Sequence, residues 1–202
     1  MKRSKRSSYG GGNVKALERT SFPEIAERIS ALYNEEDDAL LLGMLGQDYV
    51  IRHSGIFLHG QSAPENHGVI ILDYLVSRGV EFTMMPWRSI GDFMDEPAQD
   101  FRQQVELPLA QHVAELISRA NSLFPHVDAK QVESIIGSDI AFTVRALPKV
   151  HLHVEMSQET EEFPAEVWVL FSNNAHIFLS VSSLQTLAEV FKDRMLSLLR
   201  IY

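Results

Sequence analysis

Alternation along residues 150–155 places His151, His153 and Glu155 on one side of an expected strand. Two neutral imidazoles and a carboxylate are donor types that bind Zn²⁺ or a similar ion, with water completing the shell. The first and third residues of such a row stand roughly 13 Å apart along the strand, so only a neighbouring pair can share one ion. His151 and His153 are therefore the metal candidates, with any further ligand coming from elsewhere in the fold. The competing expectation is the solvated polar face of an antiparallel sheet.

A second group lies earlier. His53, His59 and His67 surround an expected hairpin and the helix after it. Asn66 and His67 fall in the first turn of that helix, where unpaired N–H groups and the dipole favour an anion and disfavour a charged imidazole. Trp87, Arg88 and Asp92 lie in a long stretch without periodicity, and such stretches in compact domains often carry function. Trp87 offers a face for a flat ligand and Arg88 a fork for an anionic group. The ligand-binding candidates are thus Asn66, His67, Trp87, Arg88 and Asp92. The plainer alternative has Trp87 plugging the edge of the core and Arg88 pairing with a surface carboxylate. Glu161, Glu162 and Glu166 bracket Phe163-Pro164, read as a solvated acidic loop that Phe163 anchors in the core. No Gly-x-Ser-x-Gly elbow, His-Glu-x-x-His helix or dinucleotide fingerprint is present, so no catalytic residue is assigned. Gly10-Gly11-Gly12 lacks the Gly-Lys-Ser/Thr of a phosphate-binding loop.

These groups need a scaffold, and 202 residues at 45% apolar and 22% charged suffice for a globular one. There is no cysteine, which excludes disulfides, thiolate metal sites and an iron–sulfur cluster ligated by this chain, and is consistent with a reducing cytoplasm. The net charge is −9, and Lys2, Arg3, Lys5 and Arg6 leave −13 on the remainder. A body that acidic repels phosphate backbones and argues against nucleic acid as partner. No stretch approaches the length of a membrane span, and no apolar run follows the basic N-terminus as in a secretory signal. Cytoplasmic location is expected, with a small molecule or a protein as partner and a homodimer possible in principle. Residues 1–20 read as a disordered basic tail and 21–202 as a single domain.

Ser21-Phe22-Pro23-Glu24 signals a helix start, with Ile25, Ile29, Leu32 and Tyr33 as its stripe. A short helix is expected over Asp37–Leu45, then strands over Asp48–His53 and Ile56–His59 about a Ser54-Gly55 turn. Ser62-Ala63-Pro64-Glu65 signals a buried helix running to Arg78 and stopping at Gly79. From Pro97 a helical pattern reaches Ala120, with Phe101, Val105, Leu109, Val113 and Leu116 on one side and a kink expected at Pro108. Asp128 and Gln131 read as caps of a short helix through Ile136. Residues 140–146 and 150–155 alternate as two strands, and a tight turn at Leu147-Pro148-Lys149 sets Arg145 opposite His151 and Thr143 opposite His153. Val167–Phe171, apolar on both faces, reads as a more central strand or one covered by a helix. Ser182 and Gln185 read as caps of a final helix striped by Leu184, Leu187, Phe191, Met195 and Leu198. The fold class is α+β: one domain in which a mostly antiparallel sheet of about five strands packs against helices.

Several phrases share one order: Leu72-Asp73-Tyr74-Leu75, Pro86-Trp87-Arg88-Ser89-Ile90, Glu161-Glu162-Phe163-Pro164-Ala165, and Leu170-Phe171 followed by Ala175-His176. Together they resemble the domain-of-unknown-function family 3786, over about Leu42 to Leu199. The resemblance implies no activity; it implies a setting in anaerobic metabolism, beside iron–sulfur or corrinoid-type proteins. Ser172 stands where that family usually has Asp, which removes one carboxylate from any shared site. The expectation is a non-catalytic small-ligand-binding or accessory module. The alternatives are a metal-assisted enzyme with a histidine-lined site and a structural or dimerising protein.

Overall fold

The computed structural model describes residues 21–78, 81–94 and 99–201, so the basic tail, Gly79 and Pro97 lie outside the described residues. The first helix, α1 (Phe22–Ile29), buries Phe22, Ile25, Ala26 and Ile29, spaced i, i+3, i+4, i+7. Pro23 sits in its first turn, and Ser21 contributes its backbone carbonyl rather than a side-chain cap. Five strands follow as an antiparallel meander: β1 (Leu32–Asn34), β2 (Ala39–Met44), β3 (Gln47–Arg52), β4 (Gly55–Leu58) and β5 (Gln61–Ser62).

The helix expected over Asp37–Leu45 is therefore strand β2. Its Leu40, Leu42 and Met44 are buried while Leu41 and Gly43 face out, a period of two hidden within an almost continuous apolar run. The turn after it decides the matter. Leu45 and Gly46 both have positive φ (51° and 71°), as a tight two-residue hairpin requires. Gly46 is also packed so closely on the Pro125–Val127 turn that an added Cβ would lie 2.5 Å from the His126 carbonyl oxygen.

Helix α2 (Glu65–Leu75) buries Ile70, Ile71, Tyr74 and Leu75. It begins later and ends earlier than the sequence suggests, and Ser62 belongs to β5. The Tyr74 hydroxyl donates to the Ile29 carbonyl (2.8 Å) and accepts from the Lys149 N–H (3.1 Å), tying α1 to the hairpin of the second sheet. The run expected from Pro97 to Ala120 is helical but broken: residues 99–101, a π-turn over Arg102–Glu106, then Leu107–Ala110, Val113–Ser118 and Ala120–Leu123. Pro108 has no N–H to offer, and the wide turn lies just ahead of it. Phe101, Val105, Leu109, Val113 and Leu116 are all buried, as the stripe requires.

The second sheet has four antiparallel strands in the order β6 (Ala129–Val132), β7 (Ile140–Leu147), β8 (Val150–Ser157) and β9 (Glu166–Phe171). Residues read as a short capped helix form edge strand β6, which pairs Ala129 with Val144 and Val132 with Ala141. Asp128, read as a helix cap, takes a left-handed turn instead (φ 53°). The β7–β8 register sets Arg145 opposite His151 and Thr143 opposite His153, as the alternation demands. β9 is an edge strand rather than a central one, and the helical turns over Arg102–Glu106 and Leu107–Ala110 pack against it, as its apolar faces require. Its free side is partly satisfied from outside the sheet: the Glu106 carboxylate accepts the Val169 N–H (3.1 Å), and Arg88 pairs by backbone with Phe171.

The final helix, α3 (Val181–Leu199), starts at Ser180, whose hydroxyl accepts from the Ser183 N–H, so Ser180 and not Ser182 is the cap. Val150, Leu152, Val154 and Met156 of β8 join one continuous core with Leu184, Leu187 and Phe191 of α3 and with the apolar face of β2 and β3. Nine strands in two antiparallel sheets, with helices packed around them, form a single α+β domain among the described residues. No described helix is long and apolar enough to cross a membrane.

Candidate functional site

Three places gather groups with chemistry. The first is the outer face of β8. His153 and Glu155 are each 1% exposed, so this is no solvated face. Residues 81–94 lie across it. Arg88 N donates to the Phe171 carbonyl (2.9 Å) and Phe171 N donates to the Arg88 carbonyl (2.8 Å), which holds the segment against β9. Trp87 then stacks on His153, with centroids 5.0 Å apart, and Phe82 stacks on His151 at 4.6 Å.

Glu155 is sealed by residues 133–138. Its carboxylate accepts from Ser134 Oγ (2.5 Å), Ser138 Oγ and the Ile135 N–H (2.7 Å), and it lies 2.8 Å from His153 Nε2. Burial alone would raise its pKa. The donors from Ser134, Ser138, His153 and Ile135 overcome that and hold the carboxyl at about 2, so it stays ionised. His151 is pushed the other way for an imidazole: burial, then the nearby Arg145 charge, lowers its pKa to about 4. The Nδ1 atoms of both His151 and His153 are buried without a hydrogen-bond partner. Among the described residues no group of three or more His, Cys, Asp or Glu side chains converges as a metal shell.

The earlier candidates are not brought together. His67 Nδ1 lies 2.7 Å from the hydroxyl of the fully buried Tyr49. Burial, then the Arg194 charge, lowers the His67 pKa, so the ring that shares this hydrogen bond with Tyr49 is held toward its neutral form. Asn66 Oδ1 accepts the His67 N–H. His53 stacks on Phe22 and His59 turns the chain between β4 and β5, so the three early histidines occupy separate places. Asp92 caps a short 3₁₀ turn (Ile90–Phe93) by accepting from the Ser89 N–H (2.7 Å) and hydroxyl (3.1 Å). Trp87 faces the sheet, while the Arg88 side chain is exposed. Phe163, expected in the core, is 67% exposed, and Thr160 organises its loop instead by accepting the Glu162 and Phe163 N–H groups.

The second place is a cleft of about 690 Å³ where the two sheets meet, beside the Leu45 N–H to Ala146 carbonyl bond that joins them. The cross-strand pair Leu32 and Leu41 forms one apolar wall and is 70% and 37% exposed. Asp48, Asp128 and Arg145 supply polar walls, with Arg145 Nε 2.6 Å from Asp128 Oδ2. Gly43 lines the cleft without a side chain, and an added Cβ would meet nothing within 4 Å. The third place is a cavity of about 380 Å³ between the end of α2 and the start of α3. Sequence reasoning missed both cavities, and also Ser134, Ser138 and Glu106. A serine in a loop gives no sign of the carboxylate it will meet.

The family described as "Domain of unknown function (DUF3786)" matches residues 21–194. No curated protein and no solved structure matches the chain.

Proposed function

This chain belongs to the DUF3786 family, and on that premise we propose that it is a non-catalytic small-ligand-binding or accessory module, with the inter-sheet cleft as its binding site. The observation that carries this reading is the cleft itself. Its volume lies in the range of small-molecule sites, it sits at the junction of two sheets, and it leaves two leucines facing solvent. The His153–Glu155 pair, by contrast, is covered and its carboxylate fully engaged, which disfavours acid–base work on a substrate. Two carboxylates against one guanidinium leave the cleft with one net negative charge, so an amphipathic ligand bearing a cationic or hydrogen-bond-donating head fits it best. A cytoplasmic setting agrees with a chain free of cysteine.

Gly43→Leu tests this reading. It puts an apolar side chain into the cleft at a position where an added Cβ meets nothing within 4 Å. Native mass spectrometry of the purified protein should show a retained small molecule, or titration of a cationic amphiphile such as dodecyltrimethylammonium below its micelle concentration should show saturable binding. Gly43→Leu should abolish either. Unchanged binding in that variant would remove the cleft from consideration.

A second reading, metal binding by His151 and His153, is favoured by their two unpartnered Nδ1 atoms. Glu155 would then serve as the outer partner that fixes the His153 ring. Elemental analysis of protein purified without chelator, compared with His151→Ala, decides it: equal, trace metal in both proteins removes it.

A further inference from the structure

The cavity between α2 and α3 is chemically unlike the inter-sheet cleft. It combines one positive group, one negative group and two hydroxyls, of which the Ser180 one is taken up by Asp73, with an apolar patch. Asp73 and Arg78 carry the two charges, Ser77 the uncommitted hydroxyl, and Val76 and Ile177 present 64% and 39% of their surface to solvent.

Each polar group has capacity to spare. Ser77 is only 6% exposed, yet its Oγ has no hydrogen-bond partner. A buried hydroxyl left unpaired is destabilising, and a ligand acceptor in the adjoining cavity would relieve it. Arg78 makes no ion pair or hydrogen bond among the described residues. Asp73 uses one oxygen, Oδ2, to accept the Ser180 N–H (2.8 Å) and hydroxyl (2.7 Å), and Oδ1 remains for another donor. His176, exposed on the rim with its ring 5.0 Å from Phe93, adds a further donor.

A simple anion would meet the Asp73 charge and a simple cation the Arg78 charge. A molecule carrying both signs satisfies both, and the exposed Val76 and Ile177 call for an apolar body. We propose that this cavity binds a small zwitterion of the apolar α-amino-acid class, its carboxylate on Arg78 and Ser77 Oγ and its ammonium on Asp73 Oδ1. The site is independent of the inter-sheet cleft and stands or falls separately from it.

Isothermal titration calorimetry of the full chain tests it with three probes: L-leucine, L-leucinamide (no carboxylate) and 4-methylpentanoate (no ammonium). Saturable binding of L-leucine is expected, weaker by about tenfold or more for each analogue, the scale of one lost charge-assisted hydrogen bond. Arg78→Gln, an exposed position, should weaken L-leucine to the same extent with an unchanged circular dichroism spectrum. Asp73→Asn keeps an acceptor for Ser180, so the start of α3 is retained, and should weaken L-leucine while sparing 4-methylpentanoate. Gly43→Leu should leave all three titrations as they are. No saturable heat up to about 10 mM L-leucine, equal binding of the analogues, or full binding by Arg78→Gln would overturn the assignment.

Discussion

The outer face of β8 and the cleft between the sheets are built from the same kinds of group and end in opposite states. Each pairs a carboxylate with a basic side chain: Glu155 with His153 at 2.8 Å, Asp128 with Arg145 at 2.6 Å. The first pair is covered by residues 81–94 and 133–138, and its carboxylate accepts from four donors. The second stays open, with side chains 34% and 62% exposed. Distance between partners therefore says little about what a pair does. Solvent access does: a covered carboxylate must have its donors supplied by the chain, whereas an open one shares water and is free to meet a ligand.

The sharpest way to break this contrast is Glu155→Ala. It leaves Ser134, Ser138, the Ile135 N–H and His153 without their acceptor in a dry place, and should cost about 3–5 kcal/mol in urea unfolding. A loss below about 1 kcal/mol would mean that water reaches this face. Trp87→Ala should cost about 2–3 kcal/mol, less than a fully buried Trp because Trp87 is only partly covered. It should also make His153 reactive toward diethylpyrocarbonate, and an unreactive His153 in that variant would show that something other than Trp87 seals it.

Acid titration separates the groups. His151 has a folded pKa near 4 against an ordinary 6.5, and Glu155 one near 2 against 4.5. Both are depressed, so the stability each confers is present above its ordinary pKa and lost as pH falls. The His151 part should disappear between about pH 6.5 and 4, and the Glu155 part between about 4.5 and 2. Thermal melts of His151→Gln should show a smaller upper step, the remainder belonging to the buried His67, and keep the lower one. The smallest effect belongs to the cleft: Arg145→Ala removes an exposed pair and should change stability by no more than about 1 kcal/mol. A larger cost, measured by the same urea titration, would show that the cleft is a structural joint rather than an open site.

Much of this was legible in the chain. The alternation of residues 140–146 and 150–155 implied a hairpin, and the pairing of Arg145 with His151 and Thr143 with His153 follows from it. The stripes of α3 and the broken helix named buried residues, whereas that of α1 held only for Ile25 and Ile29, because the helix stops at Ile29 and Leu32 and Tyr33 continue as β1, with Leu32 exposed. Errors fell where local pattern and distant pairing disagree. Residues 37–45 and 128–136 carry helix-like caps and apolar runs, yet each supplies a strand because a partner strand lies alongside. β9 reads as central or helix-covered because both of its faces are apolar; it is an edge strand, with helical turns over Arg102–Glu106 and Leu107–Ala110 packed on it and its outer edge met by Arg88 and Glu106.

The sequence by itself determined which side of β8 would carry His151, His153 and Glu155, because side-chain direction along a strand has a period of two and needs no other information. Only the tertiary structure decided that this side would be dry. That depended on Phe82, Trp87, Ser134 and Ser138, which come from segments with no periodicity of their own. The two cavities were decided in the same way, because an opening is formed by surfaces that meet from distant parts of the chain and no stretch of residues contains it.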